Sequence, residues 1–302
     1  KAVAYPDLAL DTITPSLSIK DSIQNIVKDS NQQLSFNISD LNLSEVRLFQ
    51  NGNLISSSNL NSDFSVTLTE GDNQFRVEVI DKAANIATLE RMISLDSTAP
   101  VILLGVNTVT ITNEDAINLN FQIIEDNLKS IKIYNNGVES FQSSVLVDSG
   151  LVNLLEGSND LRVIVEDIVG NTSESSTFNV VKDSVLPAFT VLTPEDNSVF
   201  DSKTFQITGS FSEELSSLSI NNQGIPFGGD SFIYEINEES FGNKSYILKL
   251  VDLAGNEFEK TLTITLKEPS SEDNTISVLA STSSAIIEVG ESIDIDLLEL
   301  HL

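Results

Sequence analysis

The sequence predicts an all-β protein built from three tandem antiparallel β-sandwiches, with additional strand-forming segments at both ends. Three observations lead to this prediction: an internal repeat of about 86 residues, runs in which apolar and polar residues alternate, and Gly, Asn, Asp and Ser between those runs. At 302 residues, the chain is long enough for several domains that each bury a core of their own.

The internal repeat is defined by three markers that recur in the same order. Each marker returns after 85 to 87 positions, which is hard to obtain by chance. The markers are an Asp four residues before a Pro (Asp11 to Pro15, Asp96 to Pro100, Asp183 to Pro187), a tight-turn dipeptide (Asn51-Gly52, Asn136-Gly137, Gln223-Gly224), and an Asp-x-x-x-Asn turn (Asp81 to Asn85, Asp167 to Asn171, Asp252 to Asn256).

These markers divide the chain into five parts. Residues 13–96, 97–183 and 184–267 are the three predicted repeats. Residues 1–12 form an N-terminal extension that is a candidate exchanged strand. Residues 268–302 comprise a polar linker and either an incomplete fourth domain or a second exchanged strand.

Repeat two shows the strand pattern most clearly. Seven strands are predicted in fewer than 90 residues, with no helical periodicity, which is typical of an immunoglobulin-like sandwich. Their approximate ranges are 100–111, 117–125, 129–135, 138–142, 144–154, 160–167 and 174–182. The alternating apolar residues are assigned to the core: Leu34, Phe36, Ile38, Phe75, Val77 and Val79; Leu119, Phe121, Ile123, Leu161, Val163 and Val165; Phe205, Ile207, Tyr246, Leu248 and Leu250.

Repeat three carries motifs that resemble a known family. The stretches 192–200 (LTPEDNSVF), 205–209 (FQITG) and 251–256 (VDLAGN) are similar to bacterial Ig-like domains, particularly the type found as the second domain of glucodextranase. The resemblance covers residues 13–267 and implies the fold and a secreted or cell-surface location. Repeat one has Ala84 where the others have Gly170 and Gly255, so we expect its final turn to be looser or differently shaped.

Composition excludes several classes of function. The chain has no Cys, no Trp and a single His, His301, which leaves no thiol nucleophile and no His-based catalytic triad in its body. Acidic residues number 45 against 16 basic ones, for a net charge of −29, so nucleic acid is an unfavourable partner. The apolar stretches are too short for membrane insertion. We therefore predict that the protein is not an enzyme.

Calcium is the most specific chemical prediction. End-to-end stacking of sandwiches brings four acidic elements together at each junction, and hard cations prefer six to eight oxygen ligands. The alternative is that Asp and Asn at these turns only hydrogen-bond their own backbone. The candidate ligands are Glu70, Asp72, Asp96, Glu125, Asp126, Asp167 and Asn171 at the first junction, and Glu156, Asp183, Glu213, Glu214, Asp252 and Asn256 at the second.

These features predict a structural or adhesive bacterial surface protein, such as a stalk, an adhesin shaft, a surface-layer element or a filament subunit. The expected partners are other copies of the chain or other surface proteins, which it would bind by strand exchange through residues 1–10 or 275–302. The alternative is a glycan-binding accessory region of a secreted polysaccharide-active protein, recognising a host or surface glycan. Sugar sites favour aromatic platforms, for which the chain offers only Tyr5, Tyr134, Tyr234 and Tyr246.

Overall fold

The computed structural model describes residues 11–59 and 61–269. Within these residues the chain forms 25 strands and no helix, and the strands build three successive sandwiches with separate cores. The predicted all-β fold of tandem immunoglobulin-like sandwiches is confirmed. The described residues include no helix that is long and apolar enough to span a membrane. The two predicted exchange segments, 1–10 and 275–302, lie outside the described residues.

The first sandwich packs a three-stranded sheet, in the order β1-β3-β6, on a five-stranded sheet, β2-β8-β7-β4-β5. Its strands are β1 (Ser16–Ile19), β2 (Ile26–Val27), β3 (Asn31–Ser39), β4 (Leu43–Gln50), β5 (Asn53–Ser58), β6 (Asp63–Thr67), β7 (Gly71–Asp81) and β8 (Ile86–Leu95).

The second sandwich repeats this topology, with the sheets β9-β11-β14 and β10-β17-β15-β12-β13, and β16 pairs separately with β15. Its strands are β9 (Val101–Leu104), β10 (Ile111–Thr112), β11 (Ala116–Ile124), β12 (Leu128–Asn135), β13 (Val138–Ser143), β14 (Ser149–Asn153), β15 (Gly157–Asp167), β16 (Thr172–Glu174) and β17 (Phe178–Lys182).

The third sandwich has the sheets β18-β20-β23 and β19-β25-β24-β21-β22. Its strands are β18 (Phe189–Thr193), β19 (Ser198–Phe200), β20 (Thr204–Phe211), β21 (Leu215–Ile220), β22 (Gln223–Gly224), β23 (Ser231–Asn237), β24 (Gly242–Asp252) and β25 (Glu257–Leu266).

The first predicted strand of repeat two, 100–111, is in fact two strands that belong to different sheets. β9 pairs antiparallel with β11, whereas β10 pairs parallel with the last strand, β17. Repeats one and three have the same short parallel pairing, between β2 and β8 and between β19 and β25. Period-two alternation does not reveal this change of sheet, because it reports which residues face the core and not which strand they pair with.

The predicted core is confirmed. All the alternating residues named above are buried except Ile38 and Ile123, which are half-buried and pack against the cores of their repeats. The cores of repeats one and two are mostly aliphatic, with three buried Phe in repeat one and one in repeat two, whereas repeat three has a larger cluster of Phe side chains. Tyr246 lies in that core and donates its hydroxyl to Glu238 at 2.8 Å, so it is not a glycan platform.

A nearly buried ion pair links the segment between β1 and β2 to β8 in the first sandwich. The Asp21 carboxylate, between β1 and β2, pairs with the Arg91 guanidinium of β8, and both side chains are 9% exposed. Asp21 also accepts the backbone N–H of Ser35 at 2.9 Å and that of Ile23 at 3.2 Å. Burial raises the pKa of the Asp21 carboxyl, but these hydrogen bonds and Arg91 together outweigh it, so the net pKa is lowered.

Asp21→Asn is expected to destabilise repeat one by about 3 kcal/mol, because it leaves a buried guanidinium without its counter-ion. The contribution of Asp21 is present above its unfolded pKa, near the usual 3.8, and is lost as the pH falls through the lowered folded value. Urea unfolding followed by amide hydrogen exchange in β3 and β8 measures it at pH 7 and pH 3. The exposed Asp29→Asn is the matched control, and equal effects of both variants would contradict the assignment.

Candidate metal centre at the junctions between repeats

Each Asp-x-x-x-Asn turn holds a buried carboxylate by neutral hydrogen bonds alone. Asp167 is 0% exposed, and its Oδ1 accepts the backbone N–H groups of Val169 and Asn171 at 2.9 and 2.8 Å. Its Oδ2 accepts the Asn171 side-chain amide at 2.7 Å. Asp252, 2% exposed, has the same arrangement with Asn256. Among the described residues, no Lys or Arg lies within ion-pair distance of either carboxylate.

The asparagine of each turn also binds the linker that enters its repeat. Asn171 Nδ2 donates to the backbone carbonyl of Asp96 at 2.9 Å, and Asn256 Nδ2 donates to that of Asp183 at 2.8 Å. In repeat one the equivalent Asn85 donates to Asp11 at 3.1 Å. The turn therefore fixes the position at which the chain enters the sandwich.

At each junction three carboxylates lie close together around this contact between the turn and the linker. The first trio is Asp96 from the linker, Glu125 after β11 and Asp167, with one oxygen of each lying within 4.8 Å of the others. The second trio, Asp183, Glu213 and Asp252, meets the same limit. Burial, followed by the charges of Asp183 and Asp252, raises the pKa of the Glu213 carboxyl. The turns thus gather negative charge that their own hydrogen bonds do not neutralise.

The glutamates of the preceding repeat hold the linker from its other side. Glu70 accepts the Ser97 hydroxyl at 2.6 Å, and Glu156 accepts the backbone N–H and hydroxyl of Ser184 at 3.0 and 2.9 Å. These contacts lower the pKa of both glutamates. Neither glutamate belongs to a carboxylate trio, so these two predicted ligands are linker contacts in this structure.

Two buried asparagines place these glutamates. Asn73, which is fully buried, bonds the backbone on both sides of Glu70, at Thr69 and Gly71. Asn159 does the same around Glu156, at Leu155 and Gly157. The loop before the long central strand is therefore rigid, which presents the glutamate to the linker.

The remaining predicted ligands are peripheral. Asp72 accepts the Ser94 hydroxyl, and Asp126 and Glu214 are exposed, with no hydrogen bond to the described residues. At the first junction, Glu70, Asp72, Asp96, Glu125 and Asp126 nevertheless line a single cleft of about 530 Å³ together with Ile26, Leu95 and Ile124. The cleft lies between repeats one and two and is lined by residues of both.

Sequence reasoning missed several residues that complete the junctions. Asn127 donates to the Asp96 carboxylate at 2.9 Å, and its own backbone N–H donates to Glu125 at 2.7 Å. Ser97 and Ser184 bind the glutamates described above. The repeat period provides the signal that could have found them, since Asn42 is equivalent to Asn127 and Ser97 to Ser184.

The donor set fits a hard divalent cation. Each trio offers three carboxylates and no nitrogen or sulfur ligand, which is the chemistry that calcium prefers over zinc or copper. The alternative, turn hydrogen bonding, accounts for Asp167, Asn171, Asp252 and Asn256, whose polar contacts are described above. Hydrogen bonds from Asn127 also hold Asp96 and Glu125 together, whereas no described residue bridges Asp183 and Glu213 in this way.

Comparison with known proteins gives a distant sequence relative. No protein family matches the chain. Over 220 residues, 71% of this chain, the sequence is 24% identical to bacillopeptidase F of Bacillus subtilis (strain 168). The chain spans 15% of the length of that protein.

Comparison with solved structures gives further matches. An I-band fragment of titin matches with a TM-score of 0.54 at 12% identity, covering 85% of this chain and 100% of the fragment. A 1.5-MDa bacterial ice-binding adhesin, in a structure described as bearing on host cell surface retention, matches over 85% of this chain and 100% of that chain at 14% identity, with a TM-score of 0.33. Fibronectin(III)-like modules of Clostridium thermocellum CbhA match over 56% of this chain and 95% of theirs, with a TM-score of 0.34 and 14% identity. The titin likeness is a likeness of fold alone.

Ala84 adopts the conformation that glycine adopts in the other repeats. Its φ is +65°, compared with +90° at Gly170 and +94° at Gly255. The backbone N–H of Asp81 still donates to Asn85 at 3.1 Å, the same distance as in the two other turns. The expectation of a looser or differently shaped turn was therefore wrong, because the Asp–Asn hydrogen bonds hold the turn against the unfavourable backbone conformation.

Glu213→Gln is expected to stabilise repeat three by about 1 kcal/mol at pH 7 without divalent cations, since the trio's oxygens lie within 4.8 Å of one another and like charges at such distances repel by about 1 kcal/mol even in bulk water. Urea unfolding in chelator, followed by hydrogen exchange in β24, measures the change. The control is Glu214→Gln, which removes a charge next along the chain but outside the trio. Equal stabilisation by both variants would indicate a general effect of net charge.

Gly255→Ala is expected to destabilise repeat three by about 1 kcal/mol, because a Cβ strains a positive-φ backbone even where there is room for it. Gly228→Ala is the control in the same repeat, since that glycine has open space and no positive φ. Ala84→Gly is expected to stabilise repeat one, by less than 1 kcal/mol because glycine also raises the entropy of the unfolded chain. Urea midpoints for each repeat test all three variants, and a loss of stability in Ala84→Gly would contradict the account.

Proposed function

We propose that this chain is a non-enzymatic structural or adhesive segment of a bacterial cell-surface protein, in which stacked sandwiches form a stiff shaft and calcium holds the junctions. The observation that supports this most directly is the binding of the linker from both sides, which we call the linker clasp. At both junctions the linker is bound by a glutamate of the repeat before it and by an asparagine of the repeat after it.

The clasp opposes bending because it ties the linker to two rigid bodies. The Ser97 hydroxyl binds Glu70 of repeat one, while one residue earlier the Asp96 carbonyl is bound by Asn171 of repeat two. A flexible linker would leave these groups to water. Repeat proteins gain length and stiffness when each unit contacts its neighbours in this way.

Calcium at the trios would strengthen one of these two attachments, the one between the linker and the repeat that follows it. At the first junction Asp96 belongs to the linker, whereas Glu125 and Asp167 belong to repeat two. A cation bound by all three would fix the linker on the sandwich that follows, and it would offset part of the −29 net charge. Binding that occurs only in the folded state also raises its stability by mass action.

The proposed location is secreted or on the cell surface. It is supported by the likeness of repeat three to bacterial Ig-like domains of the glucodextranase type. The absence of Cys is compatible with that location, but it does not favour it over others.

Self-association completes the proposal. In this proposal the partners are further copies of the chain or other surface proteins, joined by strand addition through residues 1–10 or 275–302. Open sandwiches have edge strands that accept such pairing.

Glycan binding is less well supported. Tyr134 and Tyr234 are half-buried and Tyr246 is in the core, so the described residues include no exposed tyrosine on which a sugar ring would stack. Tyr5 lies outside the described residues.

Small-angle scattering of the whole chain in chelator and in millimolar calcium tests the proposal. We expect an elongated particle well over 100 Å long, since each sandwich adds roughly 35 to 40 Å at about 3.3 Å per strand residue. Calcium should narrow the distribution of lengths and raise the melting temperature.

The matched comparison uses two double variants. Glu125→Gln with Glu213→Gln removes one ligand from each trio and should abolish the calcium response. Asp126→Asn with Glu214→Gln removes the same charge from exposed neighbours and should leave the response intact. A compact particle would overturn the shaft, and a wild-type chain that does not respond to calcium would overturn the role of calcium.

A further inference from the structure

The two junctions differ at one equivalent position, just after the second strand of the preceding repeat. Lys28 follows β2 and Asn113 follows β10, and they lie 85 positions apart, which is the repeat period. Both reach across their junction to the Asp-x-x-x-Asn turn of the next sandwich. They do so with different groups.

At the first junction the contact brings a positive charge. Lys28 Nζ donates to the backbone carbonyl of Gly170 at 3.0 Å. Gly170 lies in the turn between Asp167 and Asn171, whose buried carboxylate belongs to the first trio. An ammonium is therefore anchored on the turn that carries Asp167, one member of the first trio, and none of the three carboxylates forms an ion pair with a described residue.

At the second junction the equivalent contact is neutral. The backbone N–H of Asn113 donates to the carbonyl of Ala254 at 3.1 Å. The nearby Lys182 does not replace Lys28, because its ammonium pairs with Asp115 at 2.8 Å and acts on Glu156, which is outside the trio. The second trio therefore has no lysine anchored on its turn.

We propose that Lys28 serves as a tethered cation at the first junction, so that the first junction is stiff without added calcium while the second one requires it. This inference rests on the proposed function for its calcium component. The difference expected without calcium rests on charge, since Lys28 brings an ammonium to its turn whereas Asn113 brings a neutral backbone N–H. The first junction of the shaft is then stiff at any calcium concentration, and the second becomes stiff only when calcium is bound.

Each junction can be measured separately because the chain contains no Cys. Leu54, Val138 and Gln223 are exposed, one in each repeat, and can be changed to Cys and spin-labelled in pairs. The distance between labels at 54 and 138 reports the first junction, and the distance between labels at 138 and 223 reports the second. Pulsed electron resonance in chelator should give a narrower distance distribution for the first pair. A calcium titration should narrow the second pair more than the first.

Exchanging the two residues tests the cause. Asn113→Lys should narrow the second pair in chelator and should shift its calcium midpoint at least roughly tenfold upwards, since a like charge beside the site opposes the cation. Lys28→Asn should broaden the first pair in chelator and make it calcium-responsive. Asn113→Gln and Lys82→Gln are the controls for side-chain length and for loss of a lysine elsewhere in repeat one, and both should behave as wild type.

The outcomes separate this inference from the function on which it rests. If both junctions respond equally to calcium and the exchange variants change nothing, the role of Lys28 is wrong and the calcium-stabilised shaft stands. If neither junction responds to calcium, the calcium function fails, and equal widths in chelator would then overturn the role of Lys28 as well.

Discussion

The junctions depend on one buried hydrogen-bond system, the carboxylate of Asp167 or Asp252 with the asparagine four residues later. The carboxylate is excluded from water and is held by backbone and amide N–H groups, so it fixes the turn and orients the asparagine. The second amide hydrogen of that asparagine then holds the incoming linker. If the turn were lost, the linker, the trio and the contact made by Lys28 would lose their common anchor.

The carboxylate that stabilises the turn is also a member of the acidic trio. The buried carboxylate is satisfied by hydrogen bonds, and the linker and the neighbouring loop bring two further carboxylates beside it. Repeat one has the same turn, where Asn85 binds Asp81 and the Asp11 carbonyl. There, hydrogen bonds from Asn85 and the turn backbone outweigh burial and lower the pKa of the Asp81 carboxyl. The same Asp-x-x-x-Asn turn therefore binds the incoming chain in all three repeats.

Repeat three ends differently from the other two. Phe241 and Lys244 stand where repeats one and two have the linker-binding glutamate and its supporting asparagine, and Lys267 stands where they have the linker Asp. Lys244 pairs with Glu238, and Lys203 lies over the Phe241 ring at 4.8 Å. At these equivalent positions repeat three therefore lacks the linker-binding glutamate, its supporting asparagine and the linker Asp.

The sequence by itself determined the all-β class, the repeat period and the core, because alternation and turn residues are local properties that burial of one face imposes on a strand. It also indicated that Asp96, Glu125 and Asp167 meet, since the order of strands places their loops at one pole. Only the tertiary structure decided that Glu70 and Glu156 bind serines instead of joining a trio, that the strand predicted at 100–111 changes sheets, and that Lys28 reaches Gly170. These are contacts between residues far apart in the chain, and they depend on how two rigid sandwiches face each other, which no local pattern records.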